Sequence, residues 1–163
     1  MVNTNSKAIL CLVLLYLALL PLSAAAEEQI GRVVGVTDGD TLTMLDGRKQ
    51  QIKVRLAEID TPESAQPYGT RAKQELSRLV HGKTVTVKVQ DIDRYGRTVG
   101  RVYVGELDVN AEMVKLGAAW VYQKYASDQS LYTLEKQAKQ KRAGVWNLPE
   151  AEQIPPWEWR KAR

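Results

Sequence analysis

The chain has 163 residues, enough for one domain with a real hydrophobic core, and its 23 Lys and Arg against 19 Asp and Glu leave it at +4. That mild basic excess suits a polyanionic partner without specifying one. The one cysteine, Cys11, sits in an apolar leader, so the chain beyond it can build no disulfide, no thiol nucleophile and no thiolate metal site.

The leader comes first. Lys7 is the only charge before Glu27, and Ala8 to Leu20 is a continuous apolar run. Pro21 breaks the run, and Ser23-Ala24-Ala25-Ala26 offers the small residues a signal peptidase accepts. A signal peptide over residues 1–26 is expected, cleaved after Ala26 with Ala24 and Ala25 as neighbouring sites. An uncleaved anchor is the competing reading, because Ala8 to Ala26 approaches spanning length. Both readings export the protein, to a periplasm or to the medium.

The domain proper, expected over residues 27–148, then alternates like β-sheet. Ile30 to Thr37 is a valine-rich strand, Asp38-Gly39 a turn, and Thr41 to Leu45 a second strand. Asp46-Gly47 leads into Gln51 to Ile59, where Ile52, Val54 and Leu56 face one way and Lys53 and Arg55 the other. The apolar phase slips there, since Ile59 rather than Glu58 continues it. A bulge near Ala57-Glu58 repairs the phase and brings Arg55 and Asp60 to one side. Thr70 to Val80 reads as a helix ended by Gly82, and Thr84 to Gln90 and Thr98 to Val104 as strands around a turn at Tyr95-Gly96. Asp108 caps a short helix, Ala118 to Tyr122 is briefly extended, and Ser130 to Ala143 is the last predicted helix. Residues 149–163, with Pro155-Pro156-Trp157-Glu158-Trp159, read as an irregular tail lying over the domain or free. Five short strands with helices inserted late suggest an α+β fold built on a small closed barrel of the oligonucleotide-binding (OB) type.

Three short blocks hold the chemistry: Asp38-Gly39-Asp40-Thr41, then Arg55 through Ile59-Asp60-Thr61-Pro62-Glu63, then Asp93-Arg94-Tyr95-Gly96-Arg97. Carboxylates can hold a hard cation and order a water, while guanidinium forks grip phosphate oxygens in pairs. A site with both halves is what hydrolysis of a phosphodiester requires. Thr61 precedes a proline and is pushed toward extended backbone, which can hold its carbonyl toward a metal. Ordinary turn chemistry accounts for each aspartate alone, but not for two arginines in the same arrangement.

These blocks, together with Val145-Trp146, resemble the staphylococcal nuclease family over about Gly31 to Trp146. The resemblance implies a five-stranded OB barrel with three helices and a calcium-dependent nuclease acting on DNA and RNA. It further implies cleavage on the 5′-oxygen side, leaving 3′-phosphate ends. Carried over, it makes Asp40, Asp60 and the Thr61 carbonyl calcium ligands, Glu63 the general base, and Arg55 and Arg97 the groups that stabilise the transition state. Tyr95, Tyr125, Arg94 and Tyr122 are the candidate substrate contacts. The chain departs from the family's best-known members in two places: only Ser64 to Gly69 stands where they carry a longer lysine-rich loop, and Gln123 stands where a second tyrosine is expected.

The expected partner is DNA or RNA, preferably single-stranded, bound by a monomer with no protein partner. The alternative is a non-catalytic barrel that grips single-stranded nucleic acid; retention of Asp40, Asp60 and Glu63 favours the enzyme. A calcium-binding structural domain would leave Arg55 and Arg97 without a purpose. His81 stands at a helix end with no relay beside it. Arg71 and Arg101 read as solvated groups or weak surface ion pairs, and Trp120 and Trp146 as core.

Overall fold

The computed structural model describes residues 27–162, so the expected signal segment lies outside the described residues. Alternating apolar positions produce strands β1 (Glu28–Val36), β2 (Thr41–Leu45), β3 (Gln51–Leu56), β4 (Ile59–Asp60), β5 (Thr84–Ile92), β6 (Thr98–Val104), β7 (Leu107–Asp108) and β8 (Trp120–Val121). The main sheet runs β3-β2-β1-β5-β6-β7, and β3 also pairs in parallel with β6. That pairing closes β1, β2, β3, β5 and β6 into the five-stranded barrel the alternation suggests. Shifts of register between Val33 and Gly35, and between Val89 and Asp91, bend the ring.

Helices α1 (Gly69–Val80), α2 (Val109–Lys115) and α3 (Gln129–Gln140) pack on the barrel. The barrel's inward residues, among them Leu42, Met44, Val54, Leu56, Val85 and Val102, are fully buried with Leu76 of α1, Met113 of α2 and Leu131 of α3. Each such side chain contributes about 1.5–3 kcal/mol by leaving water. Asp108 caps α2 as the sequence predicts, its side chain accepting from the Ala111 N–H. A second cluster joins Trp120 edge-on to Trp146 at 5.1 Å.

Several expectations are corrected. The strand does not bulge at Ala57-Glu58; it stops, turns, and resumes as β4, with Glu58 at φ 65°. A glutamate in that left-handed region carries about 1–2 kcal/mol of strain, which a network holds in place. Glu58 accepts from the Ser127 and Asp128 N–H groups and from Arg101, 2.9 Å away. Arg101 is therefore no surface group: its side chain is 12% exposed and also engages Asp108 and Asp128 at 2.7 and 2.8 Å. Burial works against Glu58's charge, yet those N–H donors and Arg101 outweigh it and hold its carboxyl below the ordinary value.

α3 ends at Gln140 and is not the last helix. A short 3-10 turn, Gly144–Asn147, follows it, and the segment expected to be irregular forms a second one, Glu150–Glu152, then helix α4 (Pro156–Lys161). There are four α-helices among the described residues, not three. Pro156 starts α4 at its first turn, where a missing N–H costs nothing. Among the described residues no helix is long and apolar enough to cross a membrane.

Candidate active site

The turn 38–40 hands Asp40 to the start of β2, and the break after β3 hands Asp60 to the end of β4. Arg55, on β3 between them, ties the two together. Its Nη2 donates to Asp60 Oδ1 at 3.1 Å and to Asp40 Oδ2 at 3.4 Å, so both acids lie within reach of one nitrogen atom. Its Nη1 is fixed on the carbonyls of Leu56 and Ile59 at 3.0 and 3.2 Å, which is what the turn at Ala57-Glu58 achieves. The Thr61 N–H donates to Asp40 Oδ2 at 3.2 Å and the Thr41 hydroxyl to Asp40 Oδ1 at 3.1 Å.

Gly39 is required here by close approach. A Cβ on it would stand 2.6 Å from Thr61 Oγ1 and 2.9 Å from the Ala72 Cβ of α1. Gly39→Ala is expected to push Thr61 off Asp40 and lower turnover by about a hundredfold, the cost of misplacing a site by ~1 Å. Steady-state kinetics beside a melting curve check it, since an active variant of ordinary turnover would show that the contact is not needed.

Arg97 stands on the same cleft, of about 980 Å³, which Asp40, Arg55, Asp60, Glu63 and Tyr125 also line. Asp93 orients it: Arg97 Nε donates to Asp93 Oδ2 at 2.7 Å and its backbone N–H to Oδ1 at 3.0 Å. Its Nη1 touches the Thr41 hydroxyl at 3.5 Å, one hydrogen bond from Asp40. Arg94 stacks over Tyr95 at 4.8 Å, and Tyr95 and Tyr125 are 68% and 60% exposed, open to a ligand. Tyr122 also lines the cleft, but Trp157 covers one of its faces, so that face is not free for a base. Glu63 reaches the cluster through Arg160, which binds both Glu63 and Asp60.

The acids crowd. Burial, and then the charge of Asp40, push the Asp38 carboxyl above its ordinary value. Burial likewise raises Asp60, with Asp40 adding to it, although Arg160 and Arg55 pull the other way. Buried negative charge that its neighbours only partly offset suits a cation with oxygen ligands. Among the described residues no three Asp, Glu, His or Cys side chains are grouped to hold an ion alone. Two carboxylates would need backbone carbonyl and water to complete a shell, as hard cations commonly allow.

Three participants escape the sequence reading. Gln66, buried, accepts from the Glu63 N–H at 3.1 Å and donates to the Ile154 carbonyl, joining the Glu63 loop to the tail. Trp157 and Arg160 come from α4. The only hint was the aromatic content of the tail, which reads as surface cover.

A closed OB barrel whose cleft combines buried aspartates with preorganised arginines defines a nuclease-type site on an oligonucleotide-binding fold. Residues 53–148 match the family model described as staphylococcal nuclease homologue. The chain is 47% identical over 131 residues to an uncharacterized endonuclease of Escherichia coli O157:H7, covering 80% of this chain and 84% of that one. It is 44% identical over 143 residues to a micrococcal nuclease of Shigella flexneri (81% and 80%) and 41% identical over 159 residues to an uncharacterized endonuclease of Haemophilus influenzae (96% and 86%). The chain belongs to the staphylococcal nuclease family.

Proposed function

We propose that the protein is an exported, calcium-dependent nuclease that hydrolyses DNA and RNA without regard to the sugar, cutting the 5′ P–O bond and leaving 3′-phosphate ends. The observation that carries it is the meeting of Asp40 and Asp60 on one nitrogen of Arg55 inside a cleft that also holds Arg97 and Glu63. Export rests on the apolar leader of residues 1–26.

Asp40, Asp60 and the Thr61 carbonyl would hold the calcium. When bound, that ion supplies Lewis-acid polarisation of a phosphoryl oxygen. Glu63, half-exposed at the rim, orients a water and takes its proton as the oxygen attacks phosphorus. Charge then grows on the non-bridging oxygens; Arg97 is fixed in advance to receive it, while Arg55, whose Nη nitrogens already donate to Asp40, Asp60 and the Leu56 and Ile59 carbonyls, contributes its positive charge beside them. The proton returns to the leaving 5′-oxygen through solvent. Tyr95 and Tyr125 offer flat faces to the flanking bases, each stack worth about 1–3 kcal/mol and indifferent to sequence.

The purified protein, incubated with single-stranded DNA and with RNA, is expected to cut both when calcium is present and neither after chelation. The new 3′ ends should resist polymerase extension until a phosphatase removes the phosphate. No fragments in calcium would end the nuclease reading; equal cutting in chelator would take the ion out of it.

A further inference from the structure

The C-terminal segment closes over the active site. Gln66 grips the Ile154 carbonyl, Pro156 is buried, and the indole of Trp157 lies flat on Tyr122, with ring centres 5.2 Å apart and planes at 3°. One helical turn beyond Trp157, on the same face of α4, Arg160 enters the acid cluster. Its Nη1 and Nη2 stand 3.3 and 2.7 Å from the two oxygens of Asp60, and Nη1 is 2.7 Å from Glu63.

Asp60 is only 2% exposed, so protein groups decide what its oxygens bind. Arg55 takes Oδ1, and the fork of Arg160 spans both oxygens. A carboxylate edge held by a guanidinium fork cannot present that edge to a metal ion as well. The fork's positive charge would also repel a divalent ion drawn to the same acids. Arg160 thus stands where the charge of the ion belongs, while Trp157 covers an aromatic face a base could use.

We propose that the C-terminal segment is a built-in plug that competes with calcium for Asp60, the guanidinium fork of Arg160 being the competitor. The proposal rests on the reading of Asp40 and Asp60 as calcium ligands. Only the side chain has to move: Trp157 and Ile154 keep α4 anchored, and Arg160, 42% exposed, has solvent to swing into.

Calcium titration by calorimetry without nucleic acid tests it, on the wild type, Arg160→Ala, Arg160→Lys and Trp157→Ala. Arg160→Ala is expected to tighten calcium binding by about tenfold, or ~1.4 kcal/mol. Arg160→Lys keeps the charge but loses the fork, and should tighten binding by a smaller factor, about threefold. Trp157→Ala leaves the charge in place, loosens the anchor of α4, and should also tighten binding; it serves if Arg160→Ala does not fold without calcium. Wild-type affinity in both Arg160→Ala and Trp157→Ala would overturn the plug and leave the calcium reading standing. Tighter binding by Arg160→Ala with unchanged binding by Arg160→Lys would also overturn it, by reducing the effect to net charge. Failure of every form to bind calcium would overturn both.

Discussion

Arg97→Ala is expected to leave the protein folded and to lower turnover at least about a hundredfold, the usual loss when one preorganised donor to a growing negative charge is removed. The structure supplies the preorganisation. Asp93 takes Nε and the backbone N–H of Arg97, so the guanidinium cannot rotate freely on its long stem. Only its outer nitrogens remain for the cleft. Arg97→Lys should recover little, because a point charge cannot reproduce a fork. Steady-state measurements on single-stranded DNA separate kcat from KM. A change confined to KM would make Arg97 a substrate-binding group that treats ground and transition state alike.

Arg101→Ala should cost about 3–5 kcal/mol of stability, because it strips the salt-bridge partner from Glu58, a buried acid. Glu58 is 4% exposed in its side chain and has Arg101 as its salt-bridge partner, while Asp108 and Asp128 share the same guanidinium. Burial opposes the charge of Arg101, but Asp108, Asp128 and Glu58 outweigh it and push its pKa up. The sign of the pH dependence follows from the acids. Glu58 is held below its ordinary 4.5 and Asp128, chiefly by Ser130, below its ordinary 3.8. Their stabilising contribution is therefore complete above those values and is lost as pH falls through the lowered ones. Denaturant melts of wild type and variant from neutral pH into this range check both points: the gap between them should narrow in acid. A constant gap would mean that the network acts by packing alone.

Much of the fold was legible because its elements are local. Thr41 to Leu45 and Thr98 to Val104 alternate cleanly and form strands over those residues, and Asp108 caps α2 from its sequence position. The convergence of Arg55 on Asp60 was legible too, since a phase slip in the apolar pattern marks the place where the chain must reset. Its form was not. Glutamate has no preference for the left-handed region, and what holds Glu58 there comes from Ser127 and Asp128, on another element altogether. Arg101 looked like any arginine on an outward strand position, since periodicity reports a face and not what lies across from it. Arg160 was least legible. Its partners Asp60 and Glu63 lie almost the whole domain away along the chain, and nothing in Pro-Trp-Glu-Trp-Arg announces a site.

The parallel seam between β3 and β6 has a bearing on how activity arises. Arg55 is paired with Val99 and Val54 with Thr98, so Arg55 lies on one of the two strands whose meeting shuts the cylinder and Arg97 immediately precedes the other. Without that ladder, Arg55 and Arg97 have no common cleft to face. Closure of the barrel, and neither strand alone, is therefore what brings the two guanidinium groups onto one cleft.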